Sequence, residues 1–141
     1  MQTRLIPSIE RTLTEQEWKD WNVPLYLGLD HDNVFWLKHH KSFERPVCLT
    51  IDRGFYEVSD HKVSFNDMMK HAYDESAECM VLINDDTEFV TKGWIMMGVE
   101  ALGGFEPPNV GVVGPTCRLG NTAIMTHDMV HWTHLDLFEH Y

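Results

Sequence analysis

"VLINDDTEFV", residues 81–90, carries the choice on which the fold turns. The apolar run from Met80 to Ile83 meets Asn84, Asp85 and Asp86 directly, and Thr87 and Glu88 follow. Asn and Asp favour turns, so an ordinary polar turn would end the strand this way. Adjacent carboxylates also attract cations, so the same residues would hold a metal ion if other strands brought their own acids to the same edge.

Other strands do end in acid. "PLYLGL" (24–29) runs into Asp30-His31-Asp32, and "VCLTI" (47–51) runs into Asp52. "VGVVGPT" (110–116) reads as a fourth strand. Helical patterns lie between them. Ile6, Ile9 and Leu13 keep helical spacing in the first segment, and Thr14-x-x-Glu17 forms a capping box that restarts a helix. In "SFNDMMKHAYDESAE" (64–78) Ser64 is the expected N-cap, and Phe65, Met68, Met69 and Ala72 share a face. "TKGWIMMGVEAL" (91–102) is helical and stops at Gly103-Gly104. The closing "THDMVHWTHLDLFEHY" is expected to be helical from about Asp128. Short apolar strands alternating with helices predict an α/β fold, a mostly parallel sheet with flanking helices. Ligands of such sheets sit beyond the carboxyl ends of the strands. On that expectation Asp30, Asp32, Asp52, Asp85 and Asp86 gather along one edge.

Composition narrows the function. The 141 residues suit a single domain, and 22 acidic against 11 basic residues give a formal charge of −11. That balance argues against nucleic acid and anionic membranes, whose phosphates would be repelled. No apolar run approaches the length that spans a bilayer. Cys48, Cys79 and Cys117 lie too far apart for a paired metal motif. Hard oxygen ligands at a strand end suit Mg²⁺ or Mn²⁺, which would bridge a diphosphate and neutralise its charge as it leaves.

With "NDDTEF" after an apolar strand, a helix next, and then "NVGVVGPT", the chain resembles the GT-A nucleotide-diphosphosugar glycosyltransferases, of family-2-like type. The resemblance covers most of the chain and is most specific over 64–116. It implies a Rossmann-like GT-A fold in a single domain, 1–141, lacking the family's first strand and its C-terminal part. It implies transfer of a sugar from a nucleotide-diphosphate donor to a glycan or other hydroxyl acceptor, with Mn²⁺ or Mg²⁺ as cofactor. Asp86 would ligate the metal, and Asp85 would share it or bind the donor ribose. Asn84 stands where the family often has an acid. Asp30 and Asp32 would contact the nucleoside, and Gly114, Pro115 and Thr116 would border the sugar. Arg53 and Arg118 are weaker phosphate candidates. The catalytic base is unassigned; Asp128 and Asp136 are weak candidates, with Glu106 and Glu139 behind them.

Nine histidines open a second possibility. On a helix, "HDMVH" sets His127 and His131 one turn apart, the geometry of zinc hydrolases, with Asp128 in place of the usual Glu. His127 or His134 would instead complete the metal shell of a glycosyltransferase or meet the acceptor; Trp132 is expected to pack in the core, with stacking on a sugar as its alternative. A third possibility is a module that binds nucleotide sugars or glycans without turnover.

Overall fold

The computed structural model describes residues 4–30, 46–51, 65–84, 86–118 and 125–138. Along the chain these form α1 (Leu5–Thr12), α2 (Glu15–Asp20), β1 (Leu25–Asp30), β2 (Pro46–Ile51), α3 (Phe65–Asp74), β3 (Cys79–Leu82), α4 (Trp94–Gly103), β4 (Asp128–His131) and α5 (Thr133–Leu137).

The sheet is not the one expected. β1 and β2 pair in parallel, with Leu25 opposite Pro46 and Asp30 opposite Ile51. β3 pairs instead with β4, antiparallel, with Cys79 opposite His131 and Leu82 opposite Asp128. Among the described residues the two pairs share no strand. The mostly parallel, Rossmann-like GT-A sheet is therefore overturned, and among the described residues β1 and β3 do not end at the edge of one sheet. Two misread segments cause this. Asp128–His131, expected as the start of a helix, is a strand, and only Thr133–Leu137 is helical. "VGVVGPT" contributes one bridge, Val113 to Met129, closed by hydrogen bonds of 3.1 and 2.7 Å. β4 thus lies between β3 and Val113, which explains why Met129, Val130 and His131 are all buried.

Side chains on a strand alternate between faces, so the β3–β4 pair is covered on both. Val130 and Met80 pack with Met69 and Ala72 of α3, and Tyr26, Tyr73, Ala77, Leu82 and Leu135 close that cluster. Met129, pointing the other way, lies against α4 at Gly98, where an added Cβ would meet its sulfur at 2.6 Å. The amphipathic face expected for α3 is the one observed, with Met69 and Ala72 buried. Ser64 lies outside the described residues.

The N-terminal helices follow a different logic. The buried stripe of α1 is Leu5, Ser8 and Thr12, two of them hydroxyls, while Ile6 and Ile9 are only half buried. Ser8 Oγ donates to the Leu5 carbonyl at 2.7 Å, and Thr12 Oγ1 donates to the Ser8 carbonyl at 2.6 Å. The expected capping box then ends α1 and starts α2. Glu17 N–H donates to Thr14 Oγ1 at 3.1 Å, and the Glu17 carboxylate accepts from Thr14 N–H at 2.8 Å. That carboxylate, fully buried, also accepts from Met96 N–H at 3.0 Å. Met96 stands in the first turn of α4, whose N-cap is Gly93 and whose amides have no side-chain cap of their own. A negative charge there is favoured by the helix dipole. Gly93 adopts φ +74°, a left-handed conformation that any other residue would hold with strain.

Burial pushes the Glu17 carboxyl up, but hydrogen bonds from the Thr14 and Met96 amides and the Thr14 hydroxyl outweigh it, and the net shift is downward. A depressed folded value contributes stability above the ordinary glutamate range, about 4.3. That contribution is lost as pH falls through this range to the folded value. Glu17→Ala is expected to cost about 2–3 kcal/mol in urea denaturation, since three donors lose a buried acceptor. Thermal melts of wild type and Glu17→Gln should converge as pH falls below about 4; a gap that stays constant to pH 3 would assign the cost to shape rather than charge.

Candidate functional site at the acidic turn

Beyond Leu82 the chain turns. Thr87 N–H donates to the Asn84 carbonyl at 3.2 Å, closing Asn84–Thr87 into the polar turn that the local sequence also allowed. Asp85, within it, lies outside the described residues. Asn84 and Asp86 are exposed. Glu88 meets Arg11 at 3.2 Å in a half-exposed ion pair, so this acid is used by α1.

Because β4 runs antiparallel to β3, it starts where β3 ends. His127, one residue before β4, accordingly meets the turn: its Nε2 lies 3.2 Å from Thr87 Oγ1. Its Nδ1 is buried without a hydrogen-bond partner. Gly114 stands on the far side. Although exposed, it has no room for a side chain, since a Cβ there would sit 2.5 Å from the His127 carbonyl oxygen. The Val113–Met129 bridge imposes this approach. Three elements expected to belong to one site, the acidic strand end, His127 and Gly114, are thus tied through Thr87 and His127.

The other expected residues stand as follows. Asp30 is the last residue of β1, in the other strand pair. Asp32 and Arg53 lie outside the described residues. Asp128 is half buried on β4 opposite Leu82. Asp136 accepts a 2.6 Å hydrogen bond from the Tyr73 hydroxyl and ties α5 to α3. That carboxylate pushes the tyrosine's own ionisation up. Glu106 and Arg118 are exposed, and Glu139 lies outside the described residues.

The zinc-helix geometry is absent. An extended backbone separates His127 from His131 by roughly 13 Å, against about 6 Å along a helix. His131 is buried, and its Nδ1 accepts from the Thr133 amide at 3.3 Å. Trp132 packs its ring on His131 and remains partly exposed. Cys79 is held inert, its thiol pushed up to about 11 by burial and by Glu78.

Sequence reasoning missed Thr87 as the contact to His127. A strand at 128–131 would have revealed it, because antiparallel pairing sets Ile83 opposite His127 by continuation of the register. Among the described residues no group of three or more His, Cys, Asp or Glu side chains is arranged to hold a metal ion. The unpartnered His127 Nδ1 and the exposed Asp86 are nonetheless donors of the kind a borderline cation takes.

Comparison with protein-family models, with curated proteins and with solved structures finds no match to this chain. No helix among the described residues is long and apolar enough to cross a membrane.

Gly114→Ala should push the His127 carbonyl away and loosen the Val113–Met129 bridge, costing about 1–3 kcal/mol as overpacking does. The His127 ring resonances should shift in the same variant. Unchanged stability and an unmoved His127 spectrum would show that the contact is not tight.

Proposed function

We propose that the Asn84–Thr87 turn and His127 form a divalent-metal site for a nucleotide-diphosphate sugar, whose sugar is transferred to a hydroxyl acceptor. One observation carries this reading: a half-buried imidazole, with Nε2 against Thr87 and with a buried, unpartnered Nδ1, lies beside a turn bearing two adjacent carboxylates. It draws on the residues of the turn, not on the parallel sheet that the family resemblance implied. Carboxylate oxygens mixed with imidazole favour Mn²⁺ over Mg²⁺, which prefers oxygen alone.

Bound there, the metal would supply Lewis-acid stabilisation of the departing diphosphate. Asp86, Asp85 and His127 would hold it. The chain's own charge of −11 repels a diphosphate, so donor binding should require the cation. Thr87, bonded at once to the Asn84 carbonyl and to His127, would keep the turn in one shape. The acceptor hydroxyl would lose its proton to a carboxylate, for which Asp128 and Asp136 are the candidates. Asp136, already bonded to Tyr73, favours the second reading, a module that binds the donor without turnover.

Thermal melts with UDP-, GDP- and dTDP-sugars, each with Mn²⁺ and with chelator, test both. A donor that binds the folded state at a hundredfold excess over its Kd should add about 2.7 kcal/mol, and only with metal. Asp86→Ala should remove that gain. A donor-dependent rise that survives Asp86→Ala or chelation would sink the site. Binding without sugar release, followed by product analysis, would select the module.

A further inference from the structure

Between Ile83 and Gly93 the described residues include neither helix nor strand, so backbone groups there must find partners elsewhere. They find them on the N-terminal helices. Phe89 N–H donates to Ser8 Oγ at 2.9 Å, and Gly93 N–H donates to the Thr12 carbonyl at 3.0 Å. Arg11 pairs with Glu88 at 3.2 Å and reaches the Phe89 carbonyl at 3.5 Å. Met96 N–H ends on Glu17. Every tie joins positions about eighty residues apart. Ser8 uses its hydroxyl twice, donating to Leu5 and accepting from Phe89. Its burial leaves water no place as a substitute.

The Asn84–Thr87 turn hangs between two anchors. At its start β3 is fixed by pairing with β4; just past its end, Glu88 and Phe89 are held by α1. We propose that the α1–α2 hairpin is a positioning strap, clipped to residues 88–96, that fixes the acidic turn against His127, with Ser8 and Glu17 as its positioning residues. The strap follows from the hydrogen bonds alone; its consequence for a metal rests on the function proposed above.

Amide hydrogen exchange on the full chain tests it, comparing wild type, Ser8→Ala, Glu17→Gln and Met69→Ala. Met69 lies in the α3 cluster, away from the hairpin contacts, and serves as a control for general loss of stability. In Ser8→Ala and Glu17→Gln, exchange over 86–93 should rise about tenfold, as expected when a buried bond is lost locally, with 79–82 and 128–131 unchanged. In Met69→Ala the order should reverse. Exchange over 86–93 equal to wild type in both strap variants, or raised as much in Met69→Ala, would overturn the strap. Mn²⁺ titration, read by paramagnetic broadening at Thr87 and His127, separates the two claims. A weaker Mn²⁺ effect in the strap variants supports both. Raised exchange with no Mn²⁺ effect even in wild type keeps the strap and removes the metal.

Discussion

The antiparallel pairing of β3 with β4 is the constraint on which the candidate site depends. Four residues on each side suffice because β4 is also bridged by Val113, so its backbone is bonded on both edges. Buried on both faces as well, it must present apolar groups to each. Val130 faces α3 while Met129 faces α4, and Gly98 supplies the space that the methionine needs. The direction of β4 then decides the chemistry. Running back along β3, it begins at His127 and so brings an imidazole to the turn that ends β3. A parallel neighbour would have brought another strand's carboxyl end instead.

The second constraint is electrostatic. In a chain of net charge −11, the most buried charged group among the described residues is another carboxylate, Glu17. Burial alone would make it costly. Three directed hydrogen bonds reverse the balance, one of them from the first turn of α4, where the helix dipole also favours a negative charge. One residue therefore starts α2 and caps α4. Charge here serves architecture, as it does in the Arg11–Glu88 pair just past the turn.

Local features were legible in the sequence, and non-local ones were not. The Thr14–Glu17 box is a contact over three residues whose partners are fixed once a helix starts, so its pattern and its structure agree. The apolar face of α3 and the stop of α4 at Gly103-Gly104 are of the same kind. "DMVHWTHLDL" failed because Met129, Val130, Trp132 and Leu135 satisfy a helical stripe as well as a strand leading into a short helix, and four residues are too few for periodicity to choose. Pairing with Cys79–Leu82 chose, and it lies about fifty residues away in the chain. Ser8 was invisible for a related reason: a hydroxyl on a helix reads as solvent-facing until the loop that needs it is known.

For the candidate site, this division has a physical consequence. Asp86 and His127 could each be named from the sequence, yet what joins them is Thr87, a residue with no signal of its own. The join depends on two long-range anchors, the β4 register on one side and the α1–α2 hairpin on the other. An acidic turn held only by its own amide, from Thr87 to Asn84, would sample many shapes and bind a cation weakly, because ordering it would cost conformational entropy at the moment of binding. Held at both ends, it has met part of that cost during folding. The hydrogen bonds that Ser8, Thr12 and Glu17 accept from across the chain would therefore serve cation binding through preorganisation, without any of these residues touching a ligand.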